Sequence, residues 1–175
     1  GEANGPSGAH ARSFDPGISN TGRFVVFNSA ANNLIPNLNS NKQQVYLHDR
    51  QTGLTEMISV TSAGVPGNDD SFTATVSDDG NIVVFDSFAS NFVGNDTGGA
   101  RDVFLRNRAA GTTQRISQYI NGNQGACTAI SVNPLDCNSS DPSVNADGSI
   151  VVFATFSQLT PDDTDAVHDV YLLNW

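Results

Sequence analysis

The chain has 175 residues and a formal net charge of −10 at pH 7, from 18 acidic and 8 basic side chains. This length suits one domain with a hydrophobic core, and 38% hydrophobic residues with 10 phenylalanines argue against a disordered chain. The acidic balance argues against nucleic-acid binding, because nucleic-acid binders displace counterions with basic side chains. No apolar run reaches the ~18 residues that span a bilayer, so we expect no membrane insertion.

A repeated pattern organises the chain. The first copy contains, in chain order, an extended segment, a turn with an apolar run, a second apolar run, and a third run after a glycine turn: 15–19, 21–27, 45–47 and 53–59. The second copy repeats all four at a constant offset of 58 residues: 73–77, 79–85, 103–105 and 111–117. The third copy contains the first three: 141–145, 147–153 and 170–172. A constant offset over so many positions indicates a repeat architecture.

Each of these segments predicts a short β-strand. The runs are rich in β-branched and aromatic residues and are bounded by Gly, Asn, Asp and Pro. Asp79-Gly80 and Asp147-Gly148 are typical of tight turns between strands. The Val-Val-Phe run is apolar on both faces, so we expect that strand to be covered on both sides. The sequence thus predicts an all-β fold of about three four-stranded antiparallel blades, an open or partial β-propeller, with a β-sandwich as the alternative.

The repeat resembles that of the TolB-like propeller family. The resemblance rests on the pattern [IV]-x-x-[DT]-G-x-[FI]-V-V-F, followed by V-[FY]-L-x-[DN]-R-x-x-G-x-T-x-x-I-S in two copies. We predict one propeller-repeat domain, 1–175, with units at 13–60, 71–118 and 139–175 and an insert at 119–138. The resemblance implies the fold and leaves the function open, because such propellers serve as binding platforms, scaffolds and enzyme appendages.

The third unit ends at Trp175, before the position of its own outer strand. Three blades are too few to close a ring, which takes about 4–8. We therefore expect open blade faces and a strand edge that recruit a partner. Three explanations stay open. The chain is a piece of a longer propeller, or two copies close a ring as a homo-oligomer, or copies join head to tail into a filament in which one lends a strand to the next.

An acidic loop in the third unit is a candidate Ca²⁺ site. Three carboxylates, the ligand type that Ca²⁺ favours, lie in or next to this loop: Asp163, Asp165 and Asp169. The second unit offers a thinner version with Asp96 and Asp102. The first unit has neutral residues, Leu38 and Gln44, at those two positions, so a metal role there is not expected. The alternative is that the acids only form turns and cap loop amides without an ion.

Arg50 and Arg108 are equivalent residues in the turn before the outer strand. An arginine that recurs at one structural position is expected to pair with an acid or with backbone carbonyls of its own or a neighbouring blade. We therefore predict an architectural role for both arginines.

Cys127 and Cys137 are the only cysteines, and both lie in the polar insert. A pair confined to one loop predicts a disulfide, which implies an oxidising compartment such as the periplasm, the cell surface or the medium. Two buried thiols or a metal pair are the alternatives. The first residues lack a basic, apolar signal sequence, so we expect any secretion signal to have been removed.

No catalytic motif stands out in the sequence. The leading interpretation is a non-catalytic extracellular structural protein that self-associates through its open blade edges. The first alternative is a fragment of a ligand-binding propeller that holds a glycan or peptide in its central channel. The second alternative is an accessory domain of a secreted enzyme.

Overall fold

The computed structural model describes residues 12–36, 38, 40–96, 99–119, 137–164 and 167–175. Within these ranges eleven strands form three antiparallel sheets, and no α-helix is present. We call the sheets blades 1, 2 and 3 in chain order. This arrangement confirms the predicted all-β fold of open propeller blades. The described residues contain no helix that is long and apolar enough to cross a membrane.

The strands follow the order of the repeat. Blade 1 contains four strands: β1 (Ser13–Ile18), β2 (Phe24–Ser29), β3 (Gln44–Asp49) and β4 (Leu54–Met57). Blade 2 contains four: β5 (Ser71–Val76), β6 (Ile82–Ser87), β7 (Asp102–Asn107) and β8 (Thr112–Arg115). Blade 3 contains three in the described ranges: β9 (Ser139–Val144), β10 (Ile150–Thr155) and β11 (Asp169–Asn174). Each strand pairs with its sequence neighbour.

The first strand of each blade lies at the centre of the molecule. Strand β5 lies against both β1 and β9, so these three strands surround a common axis, and the later strands fan outward. Each of the three central strands carries a register irregularity against its partner. At this irregularity Asp15 and Asp141 adopt positive φ angles of 46° and 52°. The register irregularity of the first strand is therefore itself repeated from blade to blade.

The blades pack face to face. We call the face that a blade turns to the next blade in the chain its forward face, and the opposite face its rear face. One buried cluster joins the forward face of blade 1, including Val26 and Leu47, to the rear face of blade 2, including Phe85 and Phe104. A second cluster joins blade 2 to blade 3 in the same way. The two-sided burial predicted for the Val-Val-Phe runs is confirmed for β6, whereas β2 and β10 are fully buried on one face and only partly buried on the other.

The glycine turn of each later blade packs on the blade before it. A Cβ atom at Gly80 would lie 2.6 Å from ring carbons of Phe24, and one at Gly148 would lie 2.8 Å from Cγ1 of Ile82. Both glycines have a positive φ. A side chain at these turns therefore meets a backbone penalty and a steric one.

We expect Gly80→Ala to lower the free energy of unfolding by about 1–3 kcal/mol more than Gly111→Ala, because overpacking adds to the positive-φ penalty. Gly111 also has a positive φ, but apart from the glycine and its two chain neighbours no atom of the described residues lies within 4 Å of the position that a Cβ would take there. Urea unfolding of the two variants checks this. Equal losses would mean that the contact between the Gly80 turn and Phe24 is not tight.

Candidate functional site

The two acids predicted as ligands in blade 2 lie on either side of a buried arginine. Arg115 is at the end of β8, and its side chain has no exposed surface. Its Nη1 lies 3.7 Å from Oδ1 of Asp96 and 3.6 Å from Oδ2 of Asp102. A guanidinium can pair with two carboxylates at once. In blade 2 an internal cation thus balances the two predicted metal ligands.

Asp102 has a further partner on the segment that follows β8. The hydroxyl of Ser117 donates a hydrogen bond of 2.7 Å to Oδ1 of Asp102. Burial raises the pKa of Asp102 to about 6, while the hydrogen bond from Ser117 and the charge of Arg115 act in the opposite direction. The pKa of Asp102 therefore stays above its ordinary value, because these two partners offset the effect of burial only in part.

Blade 1 contains the neutral version of the same site. Gln44 replaces Asp102, and its Oε1 accepts a hydrogen bond of 2.6 Å from Ser59. Met57 replaces Arg115 and is buried beside Tyr46, and Leu38 replaces Asp96 and packs on the same cluster. All three positions therefore carry charged residues in blade 2 and neutral residues in blade 1.

Sequence reasoning identified Asp96 and Asp102 but missed Arg115. The offset of 58 residues pairs Arg115 with Met57, and this exchange accompanies the exchange of the two acids. A comparison of all three positions would have found the arginine.

Blade 3 carries the acids of this site next to an open cavity. The hydroxyl of Tyr171 donates a hydrogen bond of 2.6 Å to Oδ2 of Asp163. The cavity has a volume of about 360 Å³ and is lined by Thr160, Asp162, Asp163, Thr164, Asp169, Val170 and Tyr171. The structure thus brings Asp163 and Asp169 to one cavity. In the described ranges, blade 3 has no fourth strand that could supply a counterpart of Arg115.

Two sequence predictions involve residues outside the described ranges. Asp165, the third predicted Ca²⁺ ligand, is one of them, and the described residues alone include no group of three acidic, histidine or cysteine side chains placed to hold a metal. Cys127, one half of the predicted disulfide with Cys137, also lies outside the described ranges, as does most of the predicted insert. The calcium site and the disulfide stay predictions.

A second buried charge pair lies near the centre of the molecule. Asp86 on β6 is fully buried, and one of its carboxylate oxygens lies 3.0 Å from Nε of Arg101. The guanidinium of Arg101 lies 5.2 Å from the ring centre of Phe72. Burial raises the pKa of Asp86 to about 7, and the positive charge of Arg101 opposes this shift only in part. Asn28 occupies the matching position in blade 1, and Ala154 in blade 3.

The two recurring arginines have the predicted architectural contacts. Nη1 of Arg50 donates to the carbonyl of Gly22 at 2.7 Å, and Nη1 of Arg108 donates to the carbonyl of Gly80 at 2.6 Å. Each arginine thus ties the turn before the outer strand to the glycine turn of its own blade.

The axis between the three inner strands contains a small cavity of about 210 Å³. Its lining is mixed polar and apolar and includes equivalent positions of the three blades: Gly17, Ile18, Asn20, Thr75, Val76, Ser143, Val144 and Ala146. This cavity lies where the inner strands of the three blades meet.

No family model matches the chain, and no curated protein matches it. Several solved structures match the chain. A protein assigned as TolB from Agrobacterium tumefaciens has a TM-score of 0.52 and 15% identity, over 93% of this chain and 46% of that one. The β-propeller domain of the Trilobed protease from Pyrococcus furiosus, which has an open velcro topology, has a TM-score of 0.54 and 11% identity, over 94% and 39%.

An oligogalacturonate lyase in complex with manganese has a TM-score of 0.50 and 15% identity, over 99% of this chain and 36% of that one. The chain thus spans less than half the length of each of these three proteins. At such identities the likeness concerns the fold alone. Together with the three stacked antiparallel sheets, it shows that this chain has the TolB-like β-propeller repeat fold.

Proposed function

We propose that this chain is a non-catalytic structural protein of an extracellular or periplasmic assembly, in which a blade of another copy covers the forward face of blade 3. The observation that carries this proposal is the exposure of that face. Val170 is 76% exposed and Leu172 is 61% exposed. Their counterparts in blade 2, Val103 and Leu105, are fully buried against blade 3.

The exposed face is built like the two faces that are covered. Ile150 and Val152 of β10 occupy the positions of Ile82 and Val84, which belong to the buried cluster between blades 2 and 3. Ile150 is also exposed. A contiguous apolar face whose equivalents are buried in the same molecule is typical of an interaction surface.

The rear face of blade 1 is the natural partner for this surface. Rear faces of blades 2 and 3 each cover a forward face through aromatic residues, among them Phe85 and Phe153. Blade 1 carries the equivalent Phe27, which is half-buried and stacks at 5.7 Å on Tyr46, itself buried in a cluster with Leu34 and Ile35 of its own blade. A contact between two different faces of identical copies is heterologous, and it generates a closed ring or an open filament.

One feature of the sequence supports the proposed location. The two cysteines are confined to one polar insert, which suits a disulfide formed in an oxidising compartment. The fold itself does not indicate a location, because the same repeat serves many functions in different proteins.

The test compares two substitutions by sedimentation equilibrium over a range of concentrations. We expect the unmodified chain to associate and Leu172→Asp to stay monomeric, because a charge on the forward face of blade 3 would be buried in the contact. Leu54→Asp is the matched control, since Leu54 is also exposed but lies on the outer strand of blade 1. Circular dichroism verifies that both variants fold. A chain that is monomeric throughout, or association that survives Leu172→Asp, contradicts the proposal.

The cavity on the axis favours a second candidate function, binding of a glycan or peptide in the central channel. Asn20, Thr75 and Ser143 give this cavity hydrogen-bonding groups from all three blades. Titration of the chain with short oligosaccharides and peptides, followed by shifts of the Thr75 and Ser143 amide signals in NMR spectra, tests this candidate.

A further inference from the structure

Three carboxyl groups lie near the axis that the inner strands surround. Asp15 on β1 and Asp141 on β9 occupy equivalent positions of the repeat, and both are exposed. Asp86 on β6 is fully buried. Burial is the main cause of its raised pKa, and the charges of Asp141 and Asp15 add to the effect. The three acids are therefore close enough for their charges to act on one another.

A second buried side chain belongs to this acidic group. Asn28 on β2 occupies the position of Asp86 in blade 1, and it is also buried. Its Nδ2 donates a hydrogen bond of 2.9 Å to Oδ2 of Asp15, so its carboxamide lies beside the exposed acids. Oδ1 of Asn28 and Oδ1 of Asp86 accept no hydrogen bond from any other described residue. Because a buried acceptor without a donor is costly, both atoms favour a ligand that donates hydrogen bonds.

The acids of this group outnumber its basic side chains. Nε of Arg101 lies 3.0 Å from Oδ2 of Asp86, so one carboxyl group has a positively charged neighbour. Within the described ranges, neither Asp15 nor Asp141 takes part in an ion pair. A ligand with a positive charge would therefore relieve the repulsion between the acids.

We propose that this site binds an alkylammonium group whose N–H groups donate to Asp15, Asp141 and Asn28 and whose aliphatic stem lies in the axial cavity. The group is that of a lysine side chain or of a free diamine. The proposal rests on the second candidate function, binding in the cavity on the axis, and gives that ligand a chemical class. The site is formed where the three blades meet, on strands that pack against a neighbouring blade.

The cavity suits the stem of such a ligand. It begins two residues beyond the exposed acids on the same strands, at Gly17 and Ser143. Its apolar lining comes from Ile18, Val76 and Val144. Methylene groups of an alkylammonium chain can cover these side chains while the charged end stays with the acids.

An ammonium group fits the acids better than a metal ion does. Ca²⁺ needs several oxygen atoms at about 2.3–2.6 Å from one point. The described residues contain no three acidic, histidine or cysteine side chains that are placed in this way. An ammonium group donates three hydrogen bonds of about 2.9 Å, so it joins acceptors that are further apart.

The test is an NMR titration of the full chain with 1,4-diaminobutane at neutral pH, followed by the amide signals of Thr75 and Ser143. The neutral 1,4-butanediol is the matched probe, and we expect it to bind at least about tenfold more weakly. Asp15→Asn and Asp141→Asn should each weaken diamine binding about three- to tenfold, because each removes a charged acceptor. Asp162→Asn should stay within about twofold, since Asp162 is also exposed but lines the cavity of blade 3.

The peptide Gly-Lys-Gly, compared with the same peptide carrying norleucine, shows whether a polypeptide can supply the group. Binding of the lysine peptide or of the diamine, lost in the double variant Asp15→Asn, Asp141→Asn, supports the proposal. Equal binding of diamine and diol, or diamine binding that survives the double substitution, overturns it. Shifts with oligosaccharides but with neither amine leave the second candidate function standing and overturn the ammonium assignment. No shift with any of these probes overturns both.

Discussion

Replacement of Arg115 by methionine is expected to lower the free energy of unfolding by about 3–5 kcal/mol, because removal of one partner from a buried ionic group leaves the others uncompensated. Asp96 and Asp102 are both almost fully buried, and Arg115 lies within 3.7 Å of each. Urea unfolding at neutral pH measures this loss. The loss should shrink as the pH falls below about 6, the raised pKa of Asp102, because protonation removes the charge of this carboxylate.

The triple variant Asp96→Leu, Asp102→Gln, Arg115→Met tests whether the charge set acts as one unit. It copies the set that blade 1 carries, Leu38, Gln44 and Met57. We expect it to recover most of the stability lost by Arg115→Met, since buried ion pairs can be replaced by well-packed neutral residues at little cost. A triple variant less stable than Arg115→Met would contradict the equivalence of the two sites.

The second large effect is expected at Asp86. Its folded-state pKa is about 7, against an ordinary value of 3.8, because of burial. Because the pKa of Asp86 is higher in the folded than in the unfolded chain, its protonation contributes to the free energy of unfolding. This contribution is complete below about pH 4 and is lost as the pH rises through 7. The stability of Asp86→Asn relative to the unmodified chain should therefore increase by about 3–4 kcal/mol between pH 4 and pH 8.

Asp147→Asn serves as a control of opposite sign for the Asp86 experiment. Hydrogen bonds from Ser149 lower the pKa of Asp147, so ionised Asp147 stabilises the folded chain. The unmodified chain loses this stabilisation as the pH falls. Urea unfolding at a series of pH values gives both profiles. If Asp86→Asn and the unmodified chain had parallel profiles, Asp86 would not be held in a strongly raised pKa state.

The repeat made most of the fold predictable. The constant offset places equivalent residues at equivalent strand positions, and turn dipeptides such as Asp79-Gly80 mark the boundaries. The three strands of the third unit were predicted for the same reason. Local chemistry was sufficient here, because each strand pairs with its neighbour in sequence.

The buried charges were not predicted, because their surroundings come from distant parts of the chain. Asp86 is a polar residue at the end of an apolar run, and its burial depends on the packing of blade 3 against blade 2. Arg115 occupies a short, polar outer strand that resembles an exposed segment. Its burial depends on the loop that carries Asp96, which the fold brings beside it.

Electron microscopy of the purified chain shows whether blade 3 packs on blade 1 of another copy. We expect particles in which one three-bladed unit continues into the next, with the face of Val170 and Leu172 covered at each junction. Discrete single units that leave this face bare at every concentration would contradict it.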